Sequence, residues 1–115
     1  MKYKTCISIA ESSPNKIKIK LKAALKKSDY TEIRLDFLKM EQVPSALEII
    51  KKDLNRIVCT LRPKTEGGKF SGTEKERIAI IKLIAEYNPF LLDIEYNTLK
   101  KNKELVKYLK TTKTK

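Results

Sequence analysis

Four short segments of the chain have the residue pattern of β-strands. In residues 31–37, isoleucine, leucine and phenylalanine alternate with Glu32, Arg34 and Asp36, so the two sets occupy opposite faces of an extended chain. The other three segments are short runs of β-branched, aromatic and other apolar residues. The pattern predicts strands at residues 4–10, 31–37, 56–61 and 90–96.

Apolar residues recur at helical spacing after the second, third and fourth strands. The second segment has Pro44 near its start, a position that proline favours in helices. The third begins with Thr73 and Glu76, a capping-box pattern that predicts a helix to about Tyr87, before Pro89. The apolar positions that define these three helices are Val43, Ala46, Leu47, Ile50 and Leu54, then Ile80, Ile81, Ile84 and Ala85, then Leu99, Val106 and Leu109.

The segment after the first strand, residues 16–27, fits two patterns. Its first half, KIKIKLK, alternates like an exposed strand, whereas AALKK that follows consists of helix formers. Because the flanking segments are strands, we predict a helix here.

The predicted order of elements is β-α-β-α-β-α-β-α, which is typical of parallel strands joined by right-handed crossovers. Four such units in 115 residues, a single domain, have the spacing of a (β/α)₈ barrel. A complete barrel needs ~200 residues or more. The fold is therefore either a small open α/β sheet or the parallel (βα)4 half of a TIM (β/α)8 barrel.

Charges within the strands favour the half barrel. Glu32, Arg34 and Asp36 share one face of the second strand, and Asp93 and Glu95 share one face of the fourth. Helices covering both faces of an open sheet would bury these charges at high cost. In a barrel the same face lines the interior, where charges near the carboxyl ends of the strands form the active site. We therefore expect residues 1–115 to form a single α/β half-barrel domain.

The chain is strongly basic, and it contains two cysteines and no histidine. With 26 Lys and Arg against 14 Asp and Glu, the net charge is +12, which is typical of a lysine-rich surface or of an anion-binding protein. Cys6 and Cys59 fall within predicted strands, so we expect both to be buried. No histidine and no close cysteine pair are present, which disfavours a metal site. Without a long apolar segment or a signal-peptide pattern, we expect a cytoplasmic protein with no membrane partner.

Residues 59–72, CTLRPKTEGGKFSG, place charges on a glycine-rich turn at the end of a predicted strand. Arg62 and Arg34 can each hold a carboxylate or phosphate through paired hydrogen bonds. Glu32 can accept a hydrogen bond from a hydroxyl, and Glu66 can orient a general acid or base. The set suits a small, anionic, hydroxylated ligand. The same charges could instead form an internal salt-bridge network, and the spacing alone leaves both open.

These segments resemble the type I 3-dehydroquinate dehydratases of the shikimate pathway. The motifs that carry the resemblance are EIRLD at 32–36, CTLRPKTEGGKFSG at 59–72 and LLDIEY at 91–96, and CISIA at 6–10 fits too. The resemblance extends over the whole chain. It implies an eight-stranded barrel that dehydrates 3-dehydroquinate to 3-dehydroshikimate with no metal or organic cofactor. It also implies a lysine that forms a Schiff base and a histidine that acts as general base and acid.

The resemblance implies specific roles at matching positions. Ser8, Glu32, Arg34 and Arg62 would bind the substrate, and Glu66 would hold the catalytic histidine in position. The chain contains no histidine, and the resemblance places both the histidine and the Schiff-base lysine after strands that follow the fourth. The chain therefore resembles the N-terminal half of such an enzyme, and we expect it to be inactive alone.

A half barrel would leave its first and fourth strands with unpaired edges and would expose an apolar inner surface. We therefore expect self-association or association with a missing C-terminal half. The alternative is a non-catalytic basic α/β protein that binds an anionic metabolite or nucleic acid, because seven lysines and one glutamate follow Thr98. Against nucleic acid, the chain has no recognised reader motif and no grouped aromatic residues for base stacking.

Overall fold

Four parallel strands form one sheet in the computed structural model, which describes residues 5–112. The strands lie side by side in chain order and each ends one to three residues earlier than predicted; Lys4, in the first predicted strand, lies outside the described residues. The sequence-based strand assignment is otherwise confirmed. The strands are β1 (Cys6–Ile9), β2 (Tyr30–Arg34), β3 (Ile57–Thr60) and β4 (Leu91–Asp93).

Helices connect the strands and follow the last one. Short 3-10 turns extend several connections, including Lys51–Arg56 after the second helix and Lys64–Glu66 in the glycine-rich loop. The α-helices are α1 (Pro14–Lys27), α2 (Val43–Ile50), α3 (Glu74–Glu86), α4 (Tyr96–Lys101) and α5 (Lys103–Leu109).

Helix α1 resolves the ambiguous first segment as predicted. Ser13 caps its first turn by accepting a hydrogen bond from the Lys16 amide at 3.2 Å. Ile17 and Leu21, four residues apart, are buried against the sheet, whereas Ile19 is 70% exposed. The alternating isoleucines therefore lie on different sides of a helix, because burial follows the period of 3.6 residues.

Helix α3 begins with the predicted capping box. The Thr73 amide donates to Glu76 Oε1 at 2.8 Å, and the Glu76 amide donates to Thr73 Oγ1 at 3.1 Å. Hydrogen bonding of the Glu76 carboxylate to the Thr73 backbone amide, followed by hydrogen bonding to the Thr73 side chain, lowers the pKa of that carboxyl. Two amides that lack partners within the helix are thereby satisfied, which fixes where the helix starts.

The prediction of a single fourth helix is wrong, because the helix is divided at Asn102. The backbone of Asn102 has φ −131° and ψ 74°, outside the helical region. Its side-chain Nδ2 donates to the Thr98 carbonyl at 2.7 Å, an acceptor that the backbone would use in a continuous helix. The break turns α5 so that Leu105 is buried.

The apolar core lies between the helices and one face of the sheet. Ile9, Ile33, Cys59 and Leu92 are in register across the four strands, and all are buried there. Cys59 is buried as predicted, but the prediction for Cys6 is wrong, since Cys6 is exposed. Cys6 lies an odd number of residues from Ile9, so strand alternation turns it to the opposite face.

Among residues 5–112 no helix covers the opposite face of the sheet, which we call the open face. Its three rows, read across the sheet, are Cys6–Tyr30, Ser8–Glu32–Val58–Leu91 and Arg34–Thr60–Asp93. The expected apolar inner surface is therefore wrong, because most of these side chains are polar. Within the described residues β1 and β4 each pair with one neighbour, which leaves the two predicted free edges.

Candidate functional site

The polar side chains of the open face gather toward the carboxyl edge of the sheet. Since all four strands are parallel, the residues that end each strand, and those that follow it, meet at that one edge. Three of the predicted binding residues, Glu32, Arg34 and Arg62, lie on or after the strands at the centre of the sheet.

Glu32 occupies the centre of the open face and is held by two hydroxyls. Ser8 on β1 donates to Glu32 Oε1 at 2.7 Å, and Thr60 on β3 donates to Glu32 Oε2 at 2.7 Å. One carboxylate thus links three strands, and each oxygen keeps lone pairs for a further donor. Thr60 was missed in the sequence, because a single buried threonine near a strand end carries no distinguishing signal.

Arg34 is fixed by the aspartate two residues after it. Its Nε and Nη2 donate to the two oxygens of Asp36 at 3.0 and 2.9 Å, a paired arrangement that holds the guanidinium plane. Hydrogen bonding to Asp36 raises the pKa of Arg34, so the side chain remains charged. Asp36 also accepts from the Lys69 amide at 3.0 Å, which ties this pair to the glycine-rich loop.

Arg62 extends from the end of β3 toward two acidic residues, Asp93 at the end of β4 and Glu95 just after it. It donates to the Asp93 carboxylate, and its Nε lies 3.5 Å from Glu95 Oε2. That second contact is an ion pair without hydrogen-bond alignment. The Arg62 side chain is one-third exposed at the open face, so it can meet a ligand there.

Two glycines let the loop fold back onto Arg62. Gly67 has φ +82°, a left-handed conformation that glycine adopts without strain. A Cβ on Gly68 would lie 2.1 Å from the carbonyl oxygen of Arg62, which leaves no room for a side chain. The Phe70 amide then donates to that same oxygen at 3.2 Å, so the loop fixes the backbone of Arg62.

Glu66 is separate from this group. It is exposed on the loop and lines a cleft of about 340 Å³ with Pro63, Asn97 and Thr98, among others. Within residues 5–112 no hydrogen bond or ion pair joins Glu66 to the other predicted site residues. The structure thus brings Ser8 together with Glu32, and Arg62 with Asp93, but it leaves Glu66 beside the group.

Carboxylates and hydroxyls on the open face can bind ligand hydroxyls, while the two arginines can bind an anionic group. Among the described residues, no group of three histidine, cysteine or acidic side chains is placed to hold a metal ion. Within the same residues, no helix is both long and apolar enough to cross a membrane.

Comparison with known proteins identifies the family of the chain. The model of the type I 3-dehydroquinase family matches residues 5–115. The chain belongs to this family. The 3-dehydroquinate dehydratase of Methanocaldococcus jannaschii is 32% identical over 108 residues, which cover 90% of this chain and 45% of that protein. The enzyme of the same name from Dehalococcoides mccartyi (strain ATCC BAA-2266) is 41% identical over 78 residues, which cover 65% of this chain and 33% of that protein.

Solved structures of 3-dehydroquinases share the fold. The 3-dehydroquinate dehydratase of Geobacillus kaustophilus superimposes with a TM-score of 0.84 at 19% identity, over 99% of this chain and 48% of that one. The type I enzyme of Clostridium difficile gives a TM-score of 0.80 at 23% identity, over 97% of this chain and 48% of that one. The chain therefore spans about half the length of these TIM-barrel relatives and has the parallel α/β arrangement of that half.

Proposed function

We propose that the chain supplies the substrate-binding half of a 3-dehydroquinate dehydratase site. The observation that carries the proposal is the Glu32 carboxylate, which Ser8 and Thr60 hold on the open face of a type I 3-dehydroquinase fold. Two arginines lie at the same edge of the sheet. A hydroxylated ring with a carboxylate needs this combination of acceptors and cations.

Each residue has a distinct part in this proposal. Ser8 and Glu32 bind ring hydroxyls, and Arg34 and Arg62 hold the anionic substrate and fix the orientation of its ring. Glu66 positions the catalytic histidine, which is absent from this chain, as the family resemblance implies. The exposed place of Glu66 on the loop leaves its carboxylate accessible to a partner group.

The chemical step depends on groups that these 115 residues do not supply. A protonated imine acts as an electron sink, so a proton next to it can be removed near neutral pH by a suitable base. The family resemblance assigns the base to a histidine, and the chain has none. We therefore expect the purified chain to show no turnover of 3-dehydroquinate and no borohydride-trapped adduct.

Complementation tests the proposal directly. The purified chain is mixed with the part of the M. jannaschii enzyme that lies beyond the segment it matches, and the appearance of 3-dehydroshikimate is followed by its absorbance. Restored turnover that falls about ten- to a hundredfold with Glu32→Gln supports the assignment, since a lost charged hydrogen bond has that effect. The matched control is Glu48→Gln, an exposed carboxylate on α2 that pairs with Lys51. Equal activity in all three chains would contradict the assignment.

Association belongs to the same proposal. The edges of β1 and β4 lack a second neighbour among the described residues, and a cleft of about 300 Å³ borders β1 beside α1. Ile7 on this edge is 37% exposed. Free edges pair readily with another chain, so we expect a second copy or the remaining half of a barrel to cover them.

One observation favours a second candidate function, the binding of anions without chemistry. A cleft of about 420 Å³ between α3 and the break at Asn102 is lined by Lys82, Lys100, Lys101 and Lys103, with Glu104 as its one acid. Within the described residues none of these lysines is ion-paired. Binding of an RNA oligonucleotide that falls steeply with added salt would support this candidate. Binding of shikimate that is lost with Arg62→Ala would support the substrate site instead.

A further inference from the structure

A row of alternating charges passes through the interior of the protein and ends at the open face. Its members, in order of contact, are Glu74, Arg77, Glu95, Arg62 and Asp93. The side chains become more exposed along the middle of the row: Arg77 is 1% exposed, Glu95 9% and Arg62 33%. The row thus connects a buried cation, Arg77, to the partly exposed Arg62 at the open face.

Arg77 is the most buried member of this row, and every donor of its guanidinium is used. Nη1 donates to the Leu61 carbonyl at 3.1 Å and to Glu95 Oε1 at 2.8 Å. Nη2 donates to Glu74 Oε1 at 2.6 Å and to Thr98, while Nε donates to Glu74 Oε2 at 3.2 Å. Burial lowers the pKa of Arg77, but its hydrogen bonds and charge pairing with Glu74 and Glu95 outweigh that effect and raise it.

Glu95 is the link between this fixed group and Arg62. Its Oε1 accepts from Arg77, while its Oε2 has no hydrogen-bond partner among the described residues and lies 3.5 Å from Arg62 Nε. Both atoms of that ion pair are shielded from water, so the attraction is stronger than at the surface. Asp93, the other partner of Arg62, is 46% exposed, and exposed pairs contribute little.

We propose that Glu95 is a positioning residue that holds the Arg62 guanidinium over the open face by bridging it to the buried Arg77. An arginine side chain loses rotamer entropy when it is immobilised. Ordering it before the ligand arrives removes that cost from binding. The inference rests on the proposed role of Arg62 in substrate binding, and Glu95 acts on the ligand only through Arg62.

The order of Arg62 can be measured in the absence of any ligand. In a ¹H–¹⁵N spectrum of the chain, the Arg62 Nε–H cross-peak is assigned by its absence in Arg62→Lys. In Glu95→Gln we expect the Arg62 Nε–H cross-peak to disappear or to shift to the averaged position of a mobile side chain. The reason is that this variant lacks the charge that bridges Arg62 to Arg77. The signal of Arg34 is the internal standard, since Asp36 holds that side chain independently.

Glu74→Gln is the matched control, because Glu74 also pairs with Arg77 but makes no contact with Arg62. The Arg62 signal should persist in this variant. An unchanged Arg62 signal in Glu95→Gln would overturn the inference, and so would equal loss in both variants, which would indicate a merely structural role. If Glu95→Gln does not fold, Glu95→Asp is measured by the same criteria, since it keeps the charge but is too short to bridge both arginines.

A titration with shikimate separates this inference from the proposed function. Shifts of the Arg62 and Arg34 signals on addition of shikimate, weakened in Glu95→Gln, would support both. An ordered Arg62 that is insensitive to shikimate would overturn its role in substrate binding while leaving its dependence on Glu95 intact. A disordered Arg62 in the unmodified chain would overturn the positioning role even if shikimate binds.

Discussion

Cys6 and Cys59 lie on opposite faces of the sheet and therefore in different surroundings. Cys59 has no exposed surface, and burial raises the pKa of its thiol to about 12. Partial burial, followed by the nearby charge of Glu32, also raises the pKa of Cys6, which is exposed on the open face. Both thiols are thus protonated at neutral pH, and accessibility alone separates them.

Thiol labelling should therefore distinguish the two cysteines. With the native chain, a maleimide reagent should modify Cys6, and Cys59 should react only after unfolding. Mass spectrometry of the intact chain and its peptides gives the site and number of adducts. The control Cys6→Ser should show no modification in the native state, and modification of Cys59 under native conditions would contradict the described core.

At Gly68 the glycine-rich loop packs against the backbone of Arg62 and leaves no room for a side chain. Gly68→Ala would bring a Cβ to 2.1 Å from the Arg62 carbonyl, and backbone atoms on both sides would have to move. We expect the free energy of unfolding, measured with urea, to fall by about 1–3 kcal/mol, as for other overpacked sites. Gly67→Asn is the control, because no atom lies near its Cβ position and asparagine tolerates positive φ. A similar loss in both variants would argue against the close contact at Gly68.

At the scale of elements, local sequence signals fix where helices begin. Ser13 and Thr73 cap α1 and α3 through contacts within the first turn, which depend only on nearby residues. The C-terminal end of α1 is different. Arg56, far along the chain, donates to the carbonyls of Leu25, Ser28 and Asp29 at 2.9–3.0 Å. That cap depends on the tertiary fold, so local patterns do not reveal it.

The capping box of α3 should make the stability of the protein depend on pH. Because the folded-state pKa of Glu76 is lowered, its contribution is present above its ordinary value of 4.5 and is lost as pH falls through the folded pKa. Glu76→Ala should therefore be less stable than the unmodified chain at pH 7, with the difference shrinking below pH 4.5. Thermal melting at several pH values checks this.

Thr73→Ala is the companion variant. It should lower the free energy of unfolding by about 1 kcal/mol at pH 7, since it removes the hydroxyl that accepts from the Glu76 amide. A Glu76→Ala difference that is constant from pH 7 to pH 3 would show that the carboxylate charge is not responsible.

At the scale of the whole molecule, the sheet ends in two free edges among the described residues. Light scattering at micromolar concentration should give a mass above the 13.3 kDa of one chain, because free parallel edges favour pairing. Ile7→Lys on the β1 edge should weaken the association, as charged residues do on edge strands. Ile19→Lys, at a 70% exposed position on α1, is the matched control. A single monomeric species of the unmodified chain would contradict the prediction.

The parallel order of the strands, the capping box of α3 and the charged face of β2 were predictable. Each follows from the periodicity of apolar residues or from residues that are close in sequence. The strand containing Glu32 and Arg34 alternates in sequence and alternates in the sheet. The exposure of Cys6 was not predicted, since an apolar neighbourhood in sequence does not specify the face. The break at Asn102 was missed because a side-chain hydrogen bond to Thr98 competes with the helix there.

The sequence by itself determined the order of the four strands, the family, and the shared face of Glu32 and Arg34. These depend on periodicity and on motifs within a few residues. Only the tertiary structure decided that Thr60 holds Glu32, that Glu66 stands apart, and that Glu95 joins Arg62 to Arg77. Such contacts join residues from different strands and helices, and their distances are set by how the elements pack together.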